Sequence, residues 1–364
     1  MKRVLTVAGL ATVAVLGAST LAAAAAGAQG TTSVVGVQVS ASGYATGVDD
    51  RGDVIGGYNV DNVPHGFIWH AGTFTDLGAL PGDNHTDASA VDDRGDVVGD
   101  SYAQTDWTTT NAQAFVWHDG AMTALPGPAG ENVFAKYIND SGEIVGAEVP
   151  GSGQNTVVVW QNGKLSTLPG LGGANTTATG LNRDGEVVGY ADTASGGSSA
   201  VAWINGKAVA LGPGIPVAVN DDGAVLVENS PTDGPFQAYV WSDGKATDLP
   251  VGTVASGFND EGEVVGLYTA SNSSPTVGFT WRDGTLTDLG SQSPVAINNR
   301  GQILFYVYDN GLFSSSVLDR DGKTVSLLPT AGPSASVGFL SESGLVAGES
   351  ESAANVTAWQ LPNG

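Results

Sequence analysis

The sequence predicts an all-β protein, an eight-bladed β-propeller of four-stranded antiparallel blades closed by an N-terminal strand. Three observations carry the prediction. First, the unit Val48-Asp49-Asp50-Arg51-Gly52-Asp53-Val54-Ile55-Gly56 recurs eight times. Its copies align without gaps on Gly52, Gly95, Gly142, Gly185, Gly223, Gly262, Gly301 and Gly344, at spacings of 43, 47, 43, 38, 39, 39 and 43 residues. Self-similarity at a period near 40 signals a repeat architecture. Second, each period contains two hairpin signals, hence four short strands A to D in a meander, which is one propeller blade. Third, the eighth period stops after its third strand, while an unassigned strand at residues 33–39 stands ahead of the first period. If that strand supplies the missing D, the ring closes with no open sheet edge. A seven-bladed ring with a decayed seventh unit, in which Leu318 falls near the usual Trp place, is the alternative.

In chain order, residues 1–28 read as a signal peptide. Lys2 and Arg3 form the basic region, residues 4–16 the apolar region, and Ala26-Gly27-Ala28 a small-x-small cleavage site. Residues 29–364 then form a single propeller domain. No later segment approaches the roughly 20 apolar residues of a membrane span, and the last four residues, Leu361-Pro362-Asn363-Gly364, do not form a hydrophobic sorting tail. The expectation is export as a soluble monomer. With no cysteine, the fold owes nothing to disulfides. The formal charge is −24, from 13 Lys+Arg against 37 Asp+Glu, and loss of Lys2 and Arg3 makes the mature chain more acidic still. Such a balance disfavours nucleic acid and anionic membrane as partners.

The repeated unit itself is the A–B hairpin. A large apolar residue is followed by Asp or Asn, or by Ser341 in the last copy, and three residues later by Gly. Asx opens a type I turn and Gly accepts the positive φ of the G1 bulge that follows. Gly185 therefore needs φ > 0, whereas Gly196, in a B–C loop, reads as unconstrained. Pairs such as Val97-Val98 and Ile144-Val145 then start strand B. The C–D hairpin has Trp near the end of its first strand (Trp69, Trp117, Trp160, Trp203, Trp241, Trp281), followed by Asp-Gly or Asn-Gly in five copies. Strand A is small-sided, as Ala88-Ser89-Ala90 and Ala178-Thr179-Gly180 illustrate, which suits a crowded axis; Phe134-Ala135-Lys136-Tyr137 is the bulkiest exception. Seven of the eight Trp occupy repeat positions, including Trp359, and are assigned to the core between blades.

The [Ile/Val/Leu]-Asn-Asp-x-Gly-Glu-Val-Val-Gly unit occurs together with His65-Gly66-Phe67-Ile68-Trp69 and Asp76-Leu77-Gly78-Ala79-Leu80-Pro81-Gly82. This combination resembles the HAF-repeat family of bacterial extracellular proteins, over essentially all of the mature chain. The chain departs from the family's His-Ala-Phe triplet, keeping the His only at His65; Gln113, Ser199 and Gln237 stand in its place elsewhere. The resemblance implies export and a propeller-like fold. It implies no defined activity and no catalytic residue.

Motifs for chemistry are few. Gly332-Pro333-Ser334-Ala335-Ser336 lacks the second Gly of a nucleophile elbow, and Gly322-Lys323-Thr324 lacks the earlier Gly and the helix of a phosphate loop. His70 and His118 occupy equivalent places on neighbouring blades, too far apart to share a metal at ~2 Å. The acidic turns invite calcium, which needs six to eight converging oxygens, but a three-residue turn splays its side chains into solvent. No cofactor is expected.

The blade 2 B–C loop, residues 100–113, makes that period the longest and holds Tyr102, Asp106 and Trp107, the one Trp outside the repeat grid. B–C loops and D–A connections share one face of a meander propeller, which brings Asp83, His85 and Glu131 to the same side. Variable loops on a rigid scaffold are where binding resides. Tyr102, Asp106, Trp107, His85 and Glu131 are accordingly the candidate ligand site, suited to an extracellular glycan or peptide. The alternatives are a propeller lyase or glycan hydrolase with acids at the central mouth, and a structural envelope protein. Two carboxylates, or a His–carboxylate pair, clustered on the loop face would favour the enzyme.

Overall fold

The computed structural model describes residues 32–362, except 41, 106–107, 152, 231–234, 272–273, 310–311, 331–334 and 351–354. The described residues form eight antiparallel sheets arranged as an eight-bladed propeller, with no helix. Blade 1 comprises A Tyr44–Val48, B Asp53–Val60, C Val63–His70 and D Thr73–Asp76. Blade 2 comprises A His85–Val91, B Val97–Thr105, C Thr108–His118 and D Ala121–Ala124. Each A strand touches the A strands of the blades before and after it, so the eight A strands surround the axis. In blade 7, Leu318 pairs with Ile303 just as Trp281 pairs with Val264 in blade 6, so the degenerate period is a complete blade.

The turn chemistry explains the hairpins. All eight A–B turn glycines have positive φ, from 73° at Gly301 to 101° at Gly52. At the C–D turns of blades 1 to 6 both central residues are positive, as at Asn162 (52°) and Gly163 (72°), which is the type I′ geometry that matches strand twist. Gly196 also has a positive φ of 83°, so it is not the free position that its loop suggested. Gly151 is: its added Cβ would meet nothing within 4 Å, and its φ is ordinary. Gly185→Val is therefore expected to cost roughly 1–3 kcal/mol and Gly151→Val less than about 0.5 kcal/mol, measured by urea unfolding.

A feature that the repeat pattern did not reveal explains the Gly that ends the unit. Every A strand carries a register shift at the same place, for example between Ala88 and Ala90 in blade 2. The bulge drives a strand A carbonyl onto strand B, where a Cβ at Gly99 would lie 1.9 Å from the Asp87 oxygen. Six units close on Gly at this approach; in blades 5 and 7, where Pro216 and Pro294 stand opposite, Val227 and Phe305 take the place.

The first side chain of each A–B turn caps that turn: Asp49, Asp92, Asn139, Asn182, Asn220, Asn259 and Asn298 each accept, through Oδ1, the N–H of the residue four positions on. The five asparagines also stitch blades together, each donating from Nδ2 to a carbonyl of the next turn: Asn139 to Asn182, Asn182 to Asn220, Asn220 to Asn259, Asn259 to Asn298 and Asn298 to Ser341. A second stitch uses the following residue, with the Asp50 N–H donating to Asp93 and the Asp93 N–H to Asp140. The acidic turns are thus not splayed into solvent: Asp49 and Asp53 are 1% exposed and Asp92 is wholly buried.

The Trp residues lie between blades. Trp160, Trp203 and Trp359 are at most 2% exposed, and their Nε1 groups donate at 2.7 Å to the carbonyls of Pro126, Pro169 and Leu328, each at the end of the preceding blade. Trp69 and Trp241 are only half-buried.

Closure is divided between two blades, which corrects the expectation for residues 33–39. Val37–Ser40 pairs antiparallel with strand C of blade 8, Asn355–Gln360, and supplies its missing D. Thr32–Val35 instead runs parallel to Thr324–Leu328 as a fifth strand on blade 7. Gly36 joins them, since a Cβ there would fall 2.4 Å from Thr357 Cγ2 and 2.7 Å from Trp359 Nε1. Open edges do remain on the outer D strands of the other blades. They are four to six residues long, as in Lys164–Thr167 and Lys245–Asp248, and the short length and charge discourage edge pairing.

Candidate functional site

The strand A residue just ahead of each bulge pair faces the axis near the loop face. Round the ring these are Tyr44, Asp87, Phe134, Thr177, Ile215, Val254, Ser293 and Ser336, paired in register with Gly57, Asp100, Ala147, Tyr190, Glu228, Leu267, Tyr306 and Glu349 of strand B. Each ring residue is exposed or half-buried, while the Ala, Pro or Val that follows is tucked between blades in most copies. The strand period of two produces that alternation.

The ring has two unlike arcs. On blades 1 to 3 it is acidic and phenolic. Asp87 and Asp100 stand directly opposite one another on neighbouring strands, an unfavourable placement for two negative charges. Burial, opposed by Lys136 and reinforced by Asp87, pushes the Asp100 carboxyl up to about 6. The Lys136 ammonium lies 3.9 Å from Asp100 Oδ1 and 5.4 Å over the Phe134 ring. Burial, and then the neighbouring Asp87 carboxylate, hold the Tyr102 phenol far above its usual pKa. Tyr44 reaches in from blade 1, its pKa raised by burial and then by the charges of Asp87 and Asp100. On blades 5 and 6, by contrast, Ile215 and Val254 are 53% and 37% exposed, with Phe236 (49%) and Val251 (53%) on the adjoining loops.

The structure brings two of the five predicted residues together. The rings of His85 and Tyr102 stack at 4.9 Å, and His85 is only 6% exposed, its Nδ1 bonded to Asn84 at 2.7 Å. His85 therefore supports Tyr102 more than it faces solvent. Glu131 turns to blade 3, where its Oε2 accepts the Gly151 N–H at 2.9 Å. Asp106 and Trp107 lie outside the described residues. Sequence reasoning missed Tyr44, Asp87, Asp100 and Lys136. For Tyr44 and Asp87 the signal was available in the alignment of copies, as the one strand A position that runs from Tyr through Asp and Ile to Ser; Asp100 and Lys136 lie off that position.

Elsewhere, His70 and His118 each bond to an Asp of their own blade, Asp53 and Asp96, and the latter raises the His118 pKa. A shallow cleft of about 380 Å³ on blade 4 is lined by Gly173, Asp192, Thr193 and Gly196, among others, but Asp192 already accepts from Asn175 at 2.7 Å. No three His, Cys, Asp or Glu among the described residues converge to hold a metal ion.

No family model and no curated protein matches the chain. Solved structures do. A prolyl endopeptidase aligns at 14% identity with a TM-score of 0.51, over 72% of this chain and 46% of its own. An acylaminoacyl peptidase of Pyrococcus horikoshii aligns at 12% identity and 0.49, over 77% of this chain and 52% of its own. The β-propeller domain of the Trilobed protease from Pyrococcus furiosus aligns at 11% identity and 0.46, over 88% and 98%. The chain spans about half the length of the two kinds of peptidase first named. At these identities the likeness shows the propeller fold alone.

Proposed function

We propose that this chain is an exported, monomeric binding module that captures a peptide bearing cationic and apolar side chains at the loop-face mouth of its channel. One observation carries the reading: the single acidic residue of the inner ring, Asp87, has Asp100 behind it, and the exposed apolar Val254 stands on blade 6, diametrically opposite blade 2. A cationic side chain would pair with Asp87 and donate to the phenol oxygens, while an apolar side chain would cover Ile215 and Val254. A mostly apolar site with a few placed polar groups is the usual arrangement of a ligand pocket. Export rests on the leader-like residues 1–28 and on the HAF-repeat resemblance. The net charge of −24 argues against nucleic acid, and the proposal involves no cofactor.

Calorimetric titration tests this with lysine-containing apolar peptides and, in parallel, cello- and chito-oligosaccharides. Asp87→Ala should weaken peptide binding about tenfold, or 1.4 kcal/mol. Binding should also weaken as pH falls from 7 to 5, because Asp100 gains a proton near 6 and its charge is lost to a cation. Oligosaccharide binding that ignores Asp87→Ala, with no peptide binding, would reject the reading. The same carboxylate pair favours one second reading, a hydrolase or lyase with Asp100 as the acid, since a raised carboxyl pKa suits that role. Asp100 is only 5% exposed, which places it behind the surface. Release of soluble sugar from a polysaccharide, lost in Asp87→Asn, would select the enzyme instead.

A further inference from the structure

On the turn face, opposite the mouth, one stitch is chemically incomplete. In blades 3 to 7 the first turn residue is Asn, whose Nδ2 donates across the seam; in blades 4 and 7 the same Nδ2 also donates to Glu186 Oε2 at 3.0 Å and Gln302 Oε1 at 2.9 Å, just ahead of its own strand B. Blade 2 has Asp92 there, and Arg94 satisfies its Oδ2 through Nε and Nη2 at 3.0 and 2.7 Å. Blade 1 has Asp49. Its Oδ1 caps the turn as in blades 2 to 7, but its Oδ2 is buried with no donor. The cation that could help is turned away, since the Arg51 guanidinium donates to the main-chain carbonyl of Arg94.

The groups that face Asp49 are acidic. Asp53 of its own strand B touches it, and Asp53 in turn takes the His70 imidazole of strand C. Across the seam stands Asp93, already accepting the Asp50 N–H. Asp50 itself accepts from Ser343 of blade 8, and Arg94 is committed to Asp92 and Asp96. A buried carboxylate oxygen with only acceptors around it is costly, whereas a neutral acid there is a donor.

We infer that Asp49 is carried as the neutral acid and acts as the asparagine of its turn, its Oδ2–H replacing the Nδ2–H that the Asn turns of blades 3 to 7 direct at the next blade, so that ionising this one group loosens the seam between blades 1 and 2. Burial first, then Asp53, pushes the Asp49 carboxyl up to about 8, in keeping with that geometry. The unfolded chain releases this proton near 4. Between those values the folded state holds a proton that the unfolded state lacks, so stability falls as pH rises from about 4 to about 8 and this contribution is flat above.

The full chain with Asp49→Asn provides the test, because five other turns already hold Asn at that place. Relative to wild type, the folding equilibrium of Asp49→Asn should improve by up to about tenfold per pH unit from 5 to 8, and the gap in melting temperature should then level off. The infrared spectrum of wild type at pH 7 should contain a neutral carboxylic acid carbonyl band that Asp49→Asn lacks. Parallel stability curves for the two proteins, or no such band at pH 7, would overturn the inference.

Discussion

Deleting residues 32–40 is expected to lower the melting temperature by about 10 °C or more. Two ladders go at once: the D strand of blade 8 and the fifth strand of blade 7. Val39 is 7% exposed and Val34 is packed on the blade 7–8 core, and losing two such side chains costs roughly 1.5–3 kcal/mol each. The lost ladder bonds add about 1 kcal/mol apiece, and Trp359 loses the cover of Gly36. A total of roughly 5–8 kcal/mol corresponds to the stated shift for a large domain. Scanning calorimetry checks it, and an unchanged midpoint would mean that the ring holds without its strap.

The second large effect is expected at the inter-blade Trp. Trp203 is 2% exposed, packs on Val157, Val159 and Val201, and donates to the Pro169 carbonyl. Trp203→Ala should cost about 3–5 kcal/mol, with the unpaired carbonyl adding to the cavity. Half-buried Trp241 provides the comparison, and Trp241→Ala should cost clearly less in the same urea titration. Equal losses would show that burial between blades is not what these residues contribute.

The eight-bladed ring was legible because a period of about 40 and two hairpin signals per period are local properties of the chain. What escaped depends on contacts between copies. The fate of the strand after residue 31 was half visible: the missing D strand of blade 8 called for residues 33–39, of which residues 37–39 lie in that strand, but nothing local says that Thr32–Val35 pairs with blade 7. The strand A bulge was hidden too, since it is a relation between strands; its trace is the Gly that closes six of the eight units. The acidic turns were misjudged for the same reason. Asp50 and Asp93 look like solvated turn residues until the neighbouring blade supplies an N–H to each in succession.

The site was legible in part. Length drew attention to residues 100–113 of blade 2, which extend strands B and C as a longer hairpin where a loop was expected, and Tyr102 and His85 do meet near its base. Asp87 and Asp100 carry the charge beside them, but they are ordinary residues of regular strands, and only the register that sets them opposite one another makes them notable. Tyr44 joins them from 43 positions before Asp87, one repeat away, which no local pattern could announce.

The mouth as ligand site is tested most directly by photo-cross-linking. A lysine-containing apolar peptide with a photoreactive group on its apolar side chain would be bound, irradiated and mapped by mass spectrometry. Cross-links are predicted on the strands Ile215–Val219 and Thr253–Phe258 and on the loop residues Phe236 and Val251, and they should disappear with Asp87→Ala. Cross-links confined to the outer D strands or to the A–B turns, or unaffected by Asp87→Ala, would contradict the account.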